Sequence, residues 1–279
     1  MNSETALVTG ASSGIGLHLA SEFASHGHPL VLVAPVADEL AQVAGDIAKK
    51  HGISVRTIAR DLEQTEASGA IFDELHRDGI FIDILVNNAG QGFRGKFVET
   101  PLHHDLSTVR LNIEAVLRLT KLFVQPMVQR GHGRILNTAS VAGFAPGPLL
   151  AVYHASKAFV LSWSEALAIE LEDTAITVTA LCPGATDTDF FPKAGMTATR
   201  AFQGQNLMAP QDVAKAGYEG LMNGELFVVP GGMNKALVAA RRVLSEAAQA
   251  KLSEKFYEEV PPENRKRERG DVEREAFRK

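Results

Sequence analysis

The chain has little cysteine, tryptophan and tyrosine, and no strong excess of charge of either sign. Among its 279 residues there are one cysteine, one tryptophan and three tyrosines, and the formal net charge is −5. The single cysteine, Cys182, excludes an intrachain disulfide and fits a reducing compartment, so we expect a cytoplasmic protein. Because no strong basic field exists, we expect no nucleic-acid partner and no binding to an anionic membrane surface.

Long apolar segments without charge or helix breakers are also missing. The residues before Ala6 are few and polar, so we expect no signal peptide. The longest uncharged run, residues 135–156, is interrupted by glycines and prolines and does not have the pattern of a membrane span. We therefore expect no integral membrane contact. Hydrophobic residues make up 45% of the chain, which is enough for a sizeable core.

The sequence does contain a regular alternation of short apolar runs and amphipathic helical patterns. The runs are rich in β-branched residues, as at residues 30–34 and 82–86. Such runs are typical of buried parallel strands, and their alternation with helices predicts right-handed crossovers. We predict an α/β fold with a single Rossmann-type, doubly wound parallel sheet of about seven strands and helices on both faces. Ligands of such sheets bind beyond the carboxyl ends of the strands.

The composition changes near the C-terminus. We predict a dinucleotide-binding and catalytic domain over residues 1–232 and a C-terminal helical, charged extension of it over residues 233–279. Residues 235–258 have the pattern of one amphipathic helix. Residues 261–279 carry many charges of both signs and are expected to form a solvated helix or a frayed end. A lid or a subunit contact is the functional alternative for this tail.

A glycine-rich segment follows the first apolar run and opens the first helical pattern. It reads Thr9-Gly10-Ala11-Ser12-Ser13-Gly14-Ile15-Gly16. Glycines let a backbone approach a pyrophosphate closely, and a helix N-terminus offers free N–H groups and the positive end of its dipole. The alternative is a tight turn between a strand and a helix, so this segment does not decide the function by itself.

Tyr153 and Lys157 are four positions apart and share one face of a predicted helix. A tyrosine, with an ordinary pKa near 10, needs about 4 kcal/mol of preferential phenolate stabilisation to act as a base near neutral pH. A nearby ammonium contributes to that stabilisation in a partly dry site. The alternative for an isolated pair of this spacing is a surface contact.

Together these segments resemble the short-chain dehydrogenase/reductase family over roughly residues 5–230. The glycine segment has that family's Thr-Gly-x-x-x-Gly-x-Gly form, and the segment after the fourth apolar run has its Asn-Asn-Ala-Gly form. The resemblance extends to the family's catalytic tetrad, whose members match, in order, Asn112, Ser140, Tyr153 and Lys157.

The resemblance implies an oxidoreductase that transfers a hydride between NAD(P)(H) and a carbonyl or secondary alcohol. It assigns Tyr153 as general acid/base, Lys157 to the nicotinamide ribose and Ser140 to the substrate oxygen. Asn112 is implied to bend its helix and to hold a water in a proton relay, whereas a satisfied core amide is the alternative. A second function remains open, namely a cofactor-binding regulatory or scaffold protein with the same fold and little turnover.

A cofactor site along the strand ends is also implied. In the family the residue matching Asp61 meets the adenine amino group, although Asp61 is equally suited to cap a helix. The residue matching Thr188 contacts the nicotinamide carboxamide there. The predicted cofactor-binding residues are Gly10, Ser12, Ser13, Gly14, Ile15, Gly16, Ala34, Asp61, Leu62, Asn88, Ala89, Gly90, Tyr153, Lys157, Pro183, Gly184, Thr186 and Thr188.

The residues that follow the second apolar run bear on the choice between NADP and NAD. Ala34 stands where a carboxylate would hold the ribose and reject a 2′-phosphate, so NADP is permitted. The next two residues, Pro35 and Val36, are not the arginine that often binds this phosphate. Hydroxyls of the glycine segment are weak substitutes for a guanidinium. We expect NADP, with NAD as the alternative.

Apolar residues in several loops predict a lipophilic substrate, such as a ketone, an aldehyde or a secondary alcohol. The predicted substrate pocket consists of Phe93, Phe144, Leu149, Phe190, Phe191 and Met196. No metal site is expected, because His103 and His104 are adjacent and do not share a helical face. In the family, helices that match residues 104–130 and 153–172 pair subunits, which implies a homodimer or a homotetramer.

Overall fold

One sheet of seven parallel strands forms the centre of the computed structural model, which describes residues 4–204, 207–240 and 243–267. The strand order is β3-β2-β1-β4-β5-β6-β7. The strands are β1 (Ala6–Thr9), β2 (Leu30–Ala34), β3 (Val55–Ala59), β4 (Ile84–Asn87), β5 (Gly133–Thr138), β6 (Ile176–Leu181) and β7 (Phe227–Val228). The predicted doubly wound parallel sheet is confirmed.

Helices connect successive strands and continue after the last strand. They are α1 (Gly14–Ser25), α2 (Ala37–His51), α3 (Ala67–Arg77), α4 (Leu102–Val109), α5 (Ala115–Arg130), α6 (Ala151–Glu170), α7 (Phe190–Lys193), α8 (Arg200–Gln203), α9 (Pro210–Met222), α10 (Gly232–Ala240) and α11 (Glu246–Tyr257). A π-helical segment, Arg110–Glu114, joins α4 to α5, and short 3-10 turns form at Val141–Phe144 and Pro262–Asn264.

Alternate residues of each central strand face opposite helical layers. Ala6 and Val8 of β1 pack with α1, α2 and α9, whereas Leu7 between them packs with α3 and α5. All three side chains are fully buried. Because successive side chains of a strand point to opposite faces, a strand that is covered on both sides must be apolar throughout. This is why the strands appear in the sequence as continuous apolar runs.

The order of the strands reverses at β1, which lies between β2 and β4. The crevice at such a reversal is where ligands bind in open α/β sheets. Hydrogen bonds hold its two sides together: the Thr9 hydroxyl donates to the Val86 carbonyl at 3.2 Å and accepts the Asn88 N–H at 2.9 Å. The Asn88 side-chain amide donates back to the Thr9 carbonyl at 2.9 Å. The ends of β1 and β4 therefore form one rigid edge.

A buried polar network lies behind that edge. Asn87 donates to the side-chain oxygens of Asn137 at 2.8 Å and Thr120 at 2.9 Å. Asn137 donates in turn to the Ser164 hydroxyl at 2.9 Å. The network links β4, β5, α5 and α6, and it gives partners to the amide N–H groups of both asparagines, which would otherwise be costly to bury. Asparagine side chains thus connect β4 and β5.

The single helix predicted over residues 235–258 is wrong. Two helices, α10 and α11, occupy this part of the chain. Ser245 begins α11, and its hydroxyl accepts the N–H of Ala248 at 3.3 Å, a capping bond that favours a new helix start over continuation. Of the charged tail, residues 262–264 form a 3-10 turn, and residues 268–279 lie outside the described part of the chain. Across the three described ranges, no helix combines the length and the low charge needed to cross a bilayer.

Candidate active site

A cavity of about 620 Å³ lies along the carboxyl ends of the strands, where the crevice was expected. This volume is in the usual range for sites that bind small molecules. Every residue predicted to bind the cofactor, from the glycine segment to Thr188, lines it. Of the four predicted catalytic residues, Ser140, Tyr153 and Lys157 line the cavity, whereas Asn112 lies behind its wall.

The glycine segment has the geometry of a cradle for a phosphate group. Gly10 and Gly14 have positive φ angles of 63° and 55°, which side chains rarely adopt. A Cβ on Gly16 would lie 2.1 Å from the Gly10 carbonyl oxygen, so only hydrogen fits there. The first turn of α1 carries no acidic residue, and Ser13 at its N-cap makes no side-chain capping bond. A glycine-rich turn that leads into a helix N-terminus is the arrangement at which the pyrophosphate of a dinucleotide binds.

Lys157 is held deep in the site. Its side chain is 5% exposed, and its Nζ donates to the Thr138 carbonyl oxygen at 2.8 Å. The same Nζ lies 5.7 Å from the ring centroid of Tyr153. Burial lowers the pKa of the Lys157 ammonium to about 8, because the charged form loses its hydration.

Tyr153 lies on the first turn of α6, with its ring against Gly92. A Cβ on Gly92 would lie 2.8 Å from the ring atom Cδ2, so a larger residue would displace the phenol. Burial raises the pKa of Tyr153 to about 12, and a hydrogen bond with the Ser140 side chain opposes that rise. The phenol is therefore protonated at neutral pH when no positive cofactor is beside it.

Ser140 lies at the end of β5 and caps the following 3-10 turn. Its hydroxyl accepts the Ala142 N–H at 3.1 Å and donates to the Pro183 carbonyl at 3.3 Å. These two bonds fix the hydroxyl between the loops that follow β5 and β6. Ser140 and Tyr153 thus form a hydrogen-bonding pair for one oxygen atom of a ligand.

Asn112 lies in the π-helical segment, which is the predicted bend of its helix. Its side-chain oxygen accepts the Gln91 N–H at 2.9 Å, and its amide donates to the Gln91 carbonyl and the Ser156 hydroxyl, each at 2.9 Å. The Asn112 amide is thus satisfied by protein groups, which is the alternative that the sequence left open for this residue. The water relay stays a prediction.

Four of the predicted substrate residues line the cavity, namely Phe93, Phe190, Phe191 and Met196. The other two, Phe144 and Leu149, do not. The 3-10 turn directs the ring of Phe144 toward Phe227 at the sheet edge, 6.3 Å away. Leu149 has a left-handed backbone with a φ of 68°, and its neighbour Leu150 lines the cavity instead.

Several cavity residues are not found by sequence reasoning. At the nucleotide end they include Glu39 and Arg60, and at the substrate end Phe256 and Tyr257. Arg60 directly precedes Asp61, and this position next to a predicted cofactor residue could have identified it as a cavity residue. The other residues come from helices whose packing the sequence pattern did not predict.

Cys182 and the two adjacent histidines are placed for packing. Cys182 is buried, and this burial raises the pKa of its thiol to about 12, as expected of an unreactive core cysteine. His104 stacks on Phe93 with ring centroids 4.1 Å apart. Within the described ranges, no three histidine, cysteine or acidic side chains are grouped to hold a metal ion.

Sequence comparison identifies relatives. A family model described as short chain dehydrogenase matches residues 4–198. A very-long-chain 3-oxoacyl-CoA reductase of Phaeosphaeria nodorum is 42% identical over 173 residues, which is 60% of this chain and 50% of that protein. The chain spans about half the length of the curated relatives that head this comparison.

Solved structures resemble the fold along most of its length. A short-chain dehydrogenase from Sphingobium yanoikuyae in complex with NADPH is 35% identical with a TM-score of 0.77, covering 86% of this chain and 94% of that one. A bulky-bulky ketone specific alcohol dehydrogenase from Comamonas testosteroni is 32% identical with a TM-score of 0.73, covering 90% and 99% of the two chains.

The lowered pKa of Lys157 predicts a pH dependence of stability. The folded chain binds this proton only below about pH 8, whereas the unfolded chain binds it up to about 10.5, so stability rises with pH between these values. We expect the cofactor-free protein to gain unfolding free energy relative to Lys157→Met, on the order of 1 kcal/mol per pH unit in this window. Urea unfolding at a series of pH values measures the difference. Lys215→Met, at an exposed lysine of α9, is the control, and parallel curves for the wild type and Lys157→Met would contradict the expectation.

Proposed function

Because this chain belongs to the short-chain dehydrogenase family, we propose that it is an NADPH-dependent reductase of ketones that carry apolar groups. One observation carries the proposal: Ser140, Tyr153 and Lys157 meet where the glycine-lined part of the cavity joins a part lined by aromatic residues. The first part suits a dinucleotide, and the second suits a lipophilic substrate. The curated relatives of the 3-oxoacyl-CoA reductase type add 3-oxoacyl thioesters to the candidate substrates.

The side chains have distinct tasks in such a reduction. The chemistry that NADPH would supply when bound is a hydride for the carbonyl carbon. Tyr153 would donate its phenolic proton to the carbonyl oxygen, the Ser140 hydroxyl would turn from the Pro183 carbonyl to donate a hydrogen bond to the same oxygen, and the product is an alcohol. The raised pKa of Tyr153 keeps the phenol protonated, which is the form a reduction uses. Lys157, anchored on Thr138, stabilises the phenolate that remains and binds the ribose of the cofactor.

Replacing the phenol tests this assignment. We expect Tyr153→Phe to retain NADPH binding, measured by nucleotide fluorescence, and to lose turnover by a factor of about 10²–10⁴ or more, because the proton donor is missing. Decay of absorbance at 340 nm with aryl ketones, alkyl ketones and a 3-oxoacyl thioester measures turnover. Tyr218→Phe, at a tyrosine outside the cavity lining, is the control. Undiminished turnover in Tyr153→Phe would remove the acid/base role, and a wild type that binds NADPH without turnover would favour a regulatory protein.

We also propose a preference for NADPH over NADH, based on Arg60. The Arg60 N–H donates to the Ala34 carbonyl at 3.1 Å, which places this residue at the end of β2. Its half-exposed guanidinium lines the cavity, and its ion-pair partner Glu74 is 3.9 Å away. A 2′-phosphate on the adenosine ribose would provide a closer partner. Ala34 is buried and offers no carboxylate that would repel this phosphate.

The Arg60 assignment predicts a cofactor-specific loss. We expect Arg60→Ala to lower kcat/KM for NADPH by about tenfold or more and to leave NADH unchanged, because a charge-assisted bond to phosphate is lost. Arg56→Ala, on the strand β3 that directly precedes Arg60 and paired with Glu74 and Asp78, is the matched control. Equal losses with both cofactors would contradict the assignment. A selective loss of NADH use in Glu39→Gln would indicate instead that this carboxylate holds the ribose.

We further propose that the chain forms a homodimer or a homotetramer through α4 and α6. Apolar side chains exposed on these two helices include Leu102, Leu106, Val109 and Phe159. We expect light scattering at micromolar concentration to give a mass of at least two chains of 30.0 kDa, and Leu106→Glu to reduce it. A monomer mass for the wild type would exclude this arrangement.

A further inference from the structure

The last helix of the described chain ends in the wall of the cavity. Tyr257 closes α11, is 8% exposed and lines the same cavity as Tyr153. It belongs to an apolar cluster that is separate from the two layers packed on the sheet. The other buried members of this cluster are Leu150, Phe191, Ala194, Met196, Ala201 and Phe202. The substrate end of the cavity therefore has a small core of its own, and Tyr257 is part of it.

His154 fixes the position of the Tyr257 ring. The Nδ1 atom of His154 lies 2.8 Å from the Ala145 carbonyl oxygen, which only accepts hydrogen bonds, so Nδ1 carries the proton. Its Nε2 atom, 2.8 Å from the Tyr257 hydroxyl, must then accept the phenolic proton. Burial lowers the pKa of His154, which keeps this imidazole neutral. Because His154 follows Tyr153 in α6, the bond ties α11 to the helix that carries the catalytic pair.

The segment after Tyr257 is attached to the loop that carries the substrate residues. Thr199 and Glu259 form an antiparallel bridge, and the Arg200 N–H donates to the Glu258 carbonyl at 2.9 Å. Arg94 adds a second attachment: its Nε donates to the Tyr257 carbonyl at 2.9 Å, and its Nη1 lies 3.0 Å from a carboxylate oxygen of Glu259. Backbone and side-chain bonds thus attach residues 257–259 to Thr199 and Arg200 on one side and to Arg94 on the other.

Phe256 and Tyr257 are adjacent but differ in their exposure. Phe256 is 45% exposed, which places it at the rim of the cavity, whereas Tyr257 is buried. The rings of Tyr257 and His154 meet edge to face at 5.5 Å, beside the ring of Tyr153. Tyr257 therefore forms part of the cavity wall on the side of Tyr153.

We propose that Tyr257, held by His154, is a specificity-determining residue that limits the size of the group a ketone substrate carries on the side facing α11. This inference rests on the proposed carbonyl reduction. Small groups such as methyl fit against the ring, and a phenyl group on the same side meets it. The limit is set by the ring of Tyr257, whose hydroxyl is bonded to a side chain 103 positions away, and not by the residues of the catalytic tetrad.

Two ketones that differ on one side test the proposal. Acetophenone carries a methyl group where benzophenone carries a second phenyl. We expect Tyr257→Ala to raise the ratio of kcat/KM for benzophenone over acetophenone by about tenfold or more, because the wall recedes. Tyr257→Phe keeps most of the ring volume and is expected to shift the ratio much less. If Tyr257→Ala does not fold, Tyr257→Leu replaces it with the same expected direction.

Tyr218 offers a matched control for a purely structural effect. It is also 8% exposed and its hydroxyl lies 3.2 Å from Nε2 of a histidine, His28, but it does not line the cavity. Tyr218→Ala is expected to lower the thermal midpoint and to leave the ketone ratio unchanged. Equal ratios in the wild type, Tyr257→Ala and Tyr218→Ala would overturn the proposal.

A binding measurement separates this proposal from the proposed function. Calorimetry with the NADPH-loaded protein gives the Kd of each ketone without turnover, and Tyr257→Ala is expected to tighten benzophenone binding relative to acetophenone. A wild type that binds ketones but does not reduce them would count against the proposed function alone. An unchanged Kd ratio in Tyr257→Ala, or no binding of either ketone to any variant, would overturn the size limit.

Discussion

The hydrogen bonds between Thr9 and the start of the loop after β4 are the constraint on which the site depends. The Thr9 hydroxyl donates to the Val86 carbonyl oxygen and accepts hydrogen bonds from the N–H groups of Asn88 and Ala89. These bonds hold two strand ends side by side at the reversal of strand order. The glycine segment begins immediately after one end, and the segment that packs against Asn112 and Lys157 begins after the other. The glycine segment and the loop beside Lys157 are thus positioned by one small buried contact.

Sequence patterns predicted this half of the site because its geometry is local. Parallel strand ends meet at one edge, so motifs that follow strands converge there, as Gly10, Asn88 and Ser140 do. The i,i+4 spacing of Tyr153 and Lys157 likewise follows from helix geometry alone. Each of these placements needs only the immediate neighbours in sequence and the register of a parallel sheet.

The substrate half was predicted less well because its contacts are distant in sequence or depend on loop conformation. Leu149 was expected in the pocket, but its left-handed backbone leaves that place to Leu150. The break between α10 and α11 depends on capping by Ser245, which competes with a continuous apolar pattern. Tyr257 reaches the cavity only because the chain after α11 pairs with Thr199, and no periodicity encodes that pairing.

The three tyrosines of the described chain share a pKa that burial raises, but they differ in their neighbouring groups. Burial raises the pKa of Tyr153, Tyr218 and Tyr257 alike. Two of them lie beside the Nε2 atom of a histidine, whereas Tyr153 faces a serine hydroxyl and has an amine within 5.7 Å of its ring. Of the three, only Tyr153 therefore has both a serine hydroxyl as its partner and an amine near its ring, which is the combination that the proposed acid/base role needs.

The bridge between Thr199 and Glu259 attaches the chain after α11 to the loop that follows β6, and this attachment builds part of the cavity wall from residues late in the sequence. The family match ends at residue 198, before α8, α11 and the bridge between Thr199 and Glu259. Under the proposed function, substitutions in α8 and α11 would change the cavity wall near Tyr257 and leave the strand ends that line the glycine-rich end untouched. A protein with this architecture could then change its substrates through these two helices without altering the residues proposed for the chemistry.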